Sequence, residues 1–340
     1  MQVTFFQRRP QGGQISIERV FDEVREALPA EVEAEVVRSR FRSSGIMKRL
    51  YNIVEAGFRQ GKINHITGDV HFLALLLPKK TTLLTIHDCF NLERLSGVRR
   101  WIVWFFWFYL PIRRAGWVSV ISESTRQQLL ASVRCDPAKI HVVHDPCPTA
   151  FRPSPKPFCQ EEPVVLQIGT QLNKNLLRVA EALRGVRCRL RIIGNLSESQ
   201  RETLDQCGIA YSTDARISDA QLIDEYRRAD LVVFASTYEG FGLPILEAQA
   251  TGRPVVTSNI LSMREVAGGA ACLVDPLEVA DIRRGILRVI EDKSYREQLV
   301  ARGYENVTRF RPEAIAADYV RLYRMMLGLE PAAEPFRKAA

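Results

Sequence analysis

The sequence predicts an α/β protein of two doubly wound domains, residues 1–150 and 151–311, followed by a last helix at 312–329. Three observations predict it. Short apolar runs alternate with segments of helical period along both halves, the pattern of parallel sheets covered on both faces. A proline-dense break without periodicity, Asp145-Pro-Cys-Pro and then Pro153, Pro155 and Pro157, separates the halves over 145–162. One stretch, Leu231 to Thr257, reads as strand, glycine loop, helix and strand in a row. Length agrees, because 340 residues exceed one ordinary domain.

Composition is globular, with 46% apolar and 25% charged residues. The net charge of +8 is uneven: residues 1–150 hold 21 Lys and Arg against 14 Asp and Glu, the remainder 26 against 25. A basic half beside a neutral half suits an anionic partner such as a membrane surface, a phosphorylated lipid or nucleic acid. The seven cysteines include no C-x-x-C pair, which fits a reducing cytoplasm and neither a zinc site nor a disulfide framework. Met1-Gln-Val-Thr-Phe-Phe6 reads as a strand rather than a signal peptide, and no apolar run reaches the ~18–20 residues needed to span a bilayer.

In the first half Val3–Phe6 is a strand. Ile17, Val20, Phe21, Val24 and Leu28 recur at helical spacing, which predicts a helix over 15–28. Val32–Val37 is a strand, Ile46–Phe58 a helix, and Ile63–Thr67 a short strand ending in Gly68-Asp-Val-His71. Leu83–Ile86 is a strand ending in His87-Asp88. Val118–Ile121 leads through Ser122 into a helix, and Ile140–His144 is the last strand. Ligands of such sheets sit at the strands' carboxyl ends. Arg99-Arg100-Trp-Ile-Val-Trp-Phe-Phe-Trp-Phe-Tyr-Leu-Pro-Ile-Arg113-Arg114 carries three of the four tryptophans between paired arginines. It reads equally as a segment lying in an anionic lipid interface and as a helix buried on all sides.

In the second half Pro163–Ile168 is a strand, and Gly169-Thr-Gln-Leu-Asn-Lys174-Asn175 precedes a helix. Cys188–Ile193 and Ile209–Ser212 are strands around a helix at Glu198–Cys207, and Ser218 suits the N-cap of the next helix. Leu231–Phe234 is a buried parallel strand. Pro244 then stands at a helix start, where its missing N–H costs nothing, and Gly252 closes that helix. Free N–H groups at such a loop and helix start face an incoming anion, and the helix dipole favours it. Glu239 and Glu247 flank the loop. Carboxylates repel phosphate but hold hydroxyls, as acidic side chains hold ribose in dinucleotide folds. The combination suits a ligand with phosphates in the middle and sugars at both ends.

Glu239-Gly-Phe-Gly-Leu-Pro-Ile-Leu-Glu247, followed by Ala-x-Ala-x-Gly-x-Pro-Val-Val, resembles the signature of the retaining nucleotide-sugar glycosyltransferases of family four. Those have the GT-B fold, two Rossmann-like domains facing a cleft with the C-terminal helix crossing back onto the N-terminal domain. The resemblance covers the second half strongly and the first weakly. It implies transfer of a hexosyl unit from a UDP-, GDP- or ADP-sugar to a hydroxyl, with retention and with neither a metal nor another cofactor. It implies that Glu247 holds the ribose, that Glu239 holds the donor sugar at the reacting centre, and that Gly240, Phe241, Gly242 and Leu243 present N–H groups. Gly169, Thr170 and Lys174 resemble the family's strand–Gly–loop–Lys segment, where the basic residue meets the diphosphate as a flexible point charge. Many members carry Arg where this chain has Thr170, so one phosphate cation is missing there or supplied elsewhere. Gly13, in Gln11-Gly-Gly-Gln14, matches a loop whose glycines let backbone approach the donor. His87, in Thr85-Ile-His-Asp88, resembles a Thr-x-His-Asp segment whose histidine faces the donor sugar, and a neutral imidazole there orients hydroxyls or accepts a proton. His71 is a second candidate.

The implied partners are the donor, a glycan or lipid-linked acceptor of the cell envelope, and an anionic membrane surface through 99–114, in the cytoplasm or on the inner face of the membrane. A non-catalytic nucleotide-sugar-binding protein and a peripheral membrane interaction protein stand as alternatives. No G-x-G-x-x-G follows either first strand, which disfavours a NAD dehydrogenase. The arginines are not spread along a reading helix, which disfavours nucleic acid.

Overall fold

The computed structural model describes residues 1–9, 16–89, 92 and 95–331. The chain forms two compact units, Met1–Pro146 with the segment from Pro312 onward, and Cys147–Arg311.

Among the described residues the first unit holds six strands: β1 (Gln2–Gln7), β2 (Glu33–Arg38), β3 (Ile63–Ile66), β4 (Thr82–Ile86), β5 (Trp117–Val120) and β6 (Ile140–Val142). All pair in parallel, in the order β2-β1-β3-β4-β5-β6, with Val3 opposite both Ala34 and Ile63. β3 and β4 are buried along their whole length, as a sheet covered on both faces requires. β2 lies on one side of β1, and the chain then crosses back to lay β3 on the other, so the winding reverses between β1 and β3. The helix Pro312–Met326 belongs to this unit and buries Tyr319 and Tyr323. The Tyr323 hydroxyl meets Nδ1 of His65 at 2.7 Å, His65 Nε2 meets Thr85 Oγ1 at 2.7 Å, and Thr85 meets Ser119 Oγ at 2.6 Å. A line of satisfied polar groups thus runs from the last helix across β3, β4 and β5.

The aromatic stretch is helical throughout: α over Gly97–Val103, π over Trp104–Tyr109, α again over Leu110–Arg114. Phe108, Pro111 and Ile112 are buried, and Trp104 and Trp107 donate their indole N–H to Ser132 O and Asp69 Oδ1. Val98, Trp101, Ile102 and Phe106 are exposed. The segment is therefore a core helix on one face and an open apolar surface on the other, a division the sequence alone left undecided.

The second unit holds β7 (Val164–Ile168), β8 (Arg189–Ile193), β9 (Ala210–Asp214), β10 (Leu231–Phe234), β11 (Val255–Ser258) and β12 (Cys272–Val274). They too are parallel, in the order β12-β11-β10-β7-β8-β9, so the winding reverses between β7 and β10. Ser218 caps the helix Asp219–Arg228 through a reciprocal bond with Gln221. The proline-rich segment 148–163 has neither helix nor strand but is tied down. Buried Asp230 accepts from the amides of Cys159 and Val164 and from Lys156, and Arg253 donates to Ser154 O.

Candidate functional site

In a doubly wound sheet the ligand lies past the strands' carboxyl ends where the winding reverses. In the second unit those strands are β7 and β10, and the loops that leave them carry Gly169 to Lys174 and Thr237 to Gly242. Gly169 has φ +85°, and a Cβ there would lie 2.9 Å from Lys174 Cγ, so only glycine lets the lysine fold back over the strand end. Asn175 adopts φ 60°, a left-handed conformation that asparagine tolerates. Its amide donates to Ala235 O at 2.9 Å and Pro276 O at 2.6 Å, which locks the β7 loop to the end of β10. Gly242, at φ +116°, opens the helix Leu243–Thr251, whose first turn carries Pro244.

The two loops meet in one contact. Lys174 Nζ lies 2.6 Å from Glu239 Oε1 and 4.9 Å from the centre of the Phe234 ring. Asn173 Nδ2 donates to Glu239 Oε1 at 3.3 Å and to Tyr238 O at 3.0 Å, and Ser262 Oγ donates to the Glu239 carbonyl at 2.8 Å. The lysine and glutamate side chains are only 18% and 14% exposed, so their partial desolvation is compensated by each other. The sequence assigns these two residues to different parts of a ligand. The structure pairs them, so an anion placed here would compete with Glu239 for the ammonium.

Glu247 lies in the helix Leu243–Thr251 and is 8% exposed. The Tyr226 hydroxyl donates to its Oε2 at 2.5 Å. Burial first, and this carboxylate second, push the Tyr226 pKa well above its usual value, so the phenol stays a donor. The Phe241 ring is buried edge-on against Phe310. Gly240 and Leu243 are partly buried on either side of it. Thr170 donates its hydroxyl to Asn195 O at 2.6 Å and accepts at its carbonyl from Gln200, so it braces the loop and brings no cation. Asn173, Tyr226, Ser262 and Gln167, which donates to Lys174 O at 2.9 Å, were not singled out from the sequence. Asn173 adjoins Lys174 in the chain, but no local pattern links Tyr226 to a carboxylate on another helix.

In the first unit His87 follows β4 and donates Nε2–H to Thr67 O at 3.0 Å, just past β3. Burial, only partly offset by that bond, lowers its pKa to about 4. The imidazole is therefore neutral near pH 7, with Nδ1 as its acceptor. His71 donates Nδ1–H to Trp107 O at 2.8 Å and packs against Phe108, a structural role. Arg8 pairs with Glu18 at 2.7 Å. Gly13 lies outside the described residues.

Residues 152–306 match the sequence profile of the glycosyl transferases group 1. The match falls wholly within the second unit. Among similar curated proteins, the O-antigen chain mannosyltransferase B of Escherichia coli is 40% identical over 110 residues, 32% of this chain and 29% of that protein. The D-inositol 3-phosphate glycosyltransferase of Mycolicibacterium smegmatis is 30% identical over 213 residues, 53% of this chain and 49% of that protein. The chain thus spans less than half the length of each of these curated relatives. The crystal structure of Anabaena Alr3699/HepE in complex with UDP and glucose superposes with a TM-score of 0.76 at 15% identity, covering 96% of this chain and 100% of that one. The fold of this chain is accordingly GT-B.

Proposed function

We propose that the chain is a retaining glycosyltransferase that moves a hexosyl unit from a nucleoside diphosphate sugar to a hydroxyl of a cell-envelope glycan or lipid-linked saccharide. The observation that carries this reading is the Lys174–Glu239 contact at the carboxyl ends of β7 and β10. An ammonium suited to phosphate and a carboxylate suited to hydroxyls share one place beside a helix start. The family match supports it, as do relatives named for sugar transfer and a structural neighbour that holds UDP and glucose.

In the proposed reaction the bond from the anomeric carbon to the diphosphate oxygen breaks. Lys174 and the amides of Gly240 to Leu243 take up the charge that develops on the leaving group, which makes a metal or other cofactor unnecessary. The acceptor hydroxyl attacks the face the diphosphate leaves, and its proton passes to the departing phosphate. Glu239 grips donor-sugar hydroxyls, and Glu247, held by Tyr226, takes the ribose. His87 orients a substrate hydroxyl through neutral Nδ1 and does not act as a base, because its pKa of about 4 leaves it little affinity for a proton. The first unit rests on an anionic membrane surface at the cytoplasmic side through 99–114. There Arg99, Arg100, Arg113 and Arg114 are exposed around the open apolar face.

Calorimetric titration with UDP, GDP, ADP and NAD, without added metal, tests the site. One nucleoside diphosphate should bind, and Lys174→Gln should weaken it about tenfold or more, the worth of a charged hydrogen bond. Binding of NAD alone, or of none of the four, overturns the reading.

A further inference from the structure

The helix Ile46–Phe58 turns a broad apolar face to the outside. Ile46, Met47, Leu50, Tyr51, Val54 and Phe58 are all exposed, Met47 to 78% and Phe58 to 87%. At 3.6 residues per turn these six fall within one arc of about 140°, so they form a face and not a scatter. Asn52, Ile53 and Ala56, on the other side, hold the helix to its unit. An ordinary surface helix is polar where this one is apolar, and a patch of this size marks a contact with something apolar.

The surrounding charge identifies that contact. Between residues 40 and 62 the chain carries Arg40, Arg42, Lys48, Arg49, Arg59 and Lys62 against Glu55 alone. All of these cations except Arg49 are exposed. A second copy of this face would set its basic rim against an identical one. A leaflet with anionic headgroups matches both features, because apolar side chains enter the acyl boundary while basic ones stay among the headgroups. Arg49 stacks over Trp107 at 4.5 Å, which joins this helix to the aromatic segment.

We propose that Ile46–Phe58 is a membrane-insertion helix that seats the first unit on an anionic phospholipid leaflet. It rests on the membrane contact proposed for 99–114 and names the element that enters the lipid.

Co-sedimentation of the full chain with phosphatidylglycerol–phosphatidylethanolamine vesicles, and with phosphatidylcholine vesicles as the neutral control, tests it at low salt. The wild-type chain should sediment with the anionic vesicles, and Leu50→Ser with Phe58→Ser should lower partitioning about tenfold or more. An unchanged melting temperature and unchanged nucleotide binding show that this variant is folded. If Trp101→Ser with Phe106→Ser alone abolishes binding and the helix variant binds as wild type, this proposal falls and the contact through 99–114 stands. If the wild-type chain ignores anionic vesicles, both fall while the transferase reading is judged by nucleotide binding. A wild-type dimer that the helix variant dissociates, without vesicle binding, assigns the face to a second copy and overturns the proposal.

Discussion

Glu239 and Glu247 belong to one motif but sit in different surroundings. Glu239 is partly open and shared by Lys174 and Asn173, whereas Glu247 is buried against the Tyr226 phenol. Their substitutions should therefore separate. Glu239→Ala is expected to abolish transfer while nucleoside diphosphate affinity stays nearly intact. Glu247→Ala is expected to weaken the nucleotide by about 1–3 kcal/mol. Titration alongside turnover checks both, and equal behaviour would sink the two assignments together. Both glutamates are legible in the sequence because they share nine residues with glycines and a proline. The pairing of Glu239 with Lys174 is not, since they stand 65 positions apart and only the β7–β10 reversal brings them together. Titration adds a second contrast. Asp145 is buried, and burial raises its pKa from 3.8 to about 7. The folded state thus holds this proton more tightly than the unfolded chain, so the stability it contributes is full below pH 3.8 and is lost as pH rises through 7. His87 and His141, both lowered by burial to about 4, act in the opposite sense. Their contribution is present above the unfolded value near 6.5 and is lost as pH falls toward 4. Asp145→Asn should therefore stabilise the protein at pH 8, by on the order of 2–4 kcal/mol, and hardly at all at pH 4. Melting temperatures at the two pH values measure it, and an equal shift at both would refute the burial argument.

The helix Leu243–Thr251 can start where it does because Gly242 holds φ +116°. A Cβ at that position would meet Ile245 Cδ1 at 3.2 Å. Gly242→Ala should cost about 1–3 kcal/mol in strain, lower the second unit's melting temperature by a few degrees, and weaken nucleotide binding because the amides of the first turn shift. Thermal unfolding with and without ligand reads both effects, and a variant with unaltered affinity would show that the loop backbone makes no donor contact. Elements of this kind are legible when period and punctuation agree: apolar β10, two glycines, Pro244 and Gly252 leave one arrangement. Other features were not legible. The left-handed Asn175 depends on acceptors at Ala235 and Pro276, remote in sequence. The helix Ile46–Phe58 was legible as a helix, but with apolar residues on more than one side its period does not say which face turns inward. The same ambiguity held for the aromatic segment, where a π turn at Trp104–Tyr109 interrupts the α period on which such a judgement depends.

At the scale of the molecule, the order of the strands places the candidate site, because in the second sheet the loops that carry Lys174 and Glu239 leave β7 and β10, where the winding reverses. The connectivity has a further consequence for how the units stand alone. The helix Pro312–Met326 follows the second unit in sequence yet completes the first. Ile315, Ala316, Tyr319, Leu322 and Tyr323 are each no more than 1% exposed, and Tyr323 is a hydrogen-bond partner of His65 in β3. Removing several fully buried side chains costs about 2–5 kcal/mol apiece, a sum comparable to the whole stability of a domain. A chain ending at Arg311 is therefore expected to lose the cooperative unfolding of its first unit. The transition of the second unit should persist, together with its stabilisation by a nucleoside diphosphate, because every side chain of the Lys174–Glu239 and Tyr226–Glu247 pairs lies within Cys147–Arg311. Calorimetry of the full and shortened chains, each with and without nucleotide, distinguishes the cases. Tyr323→Phe gives the milder version, about 1–3 kcal/mol lost from the first unit alone as buried His65 is left with one fewer partner. If the shortened chain kept both transitions, the last helix would be an appendage of the first unit; if it lost nucleotide binding as well, the donor site would need more than the second unit to form.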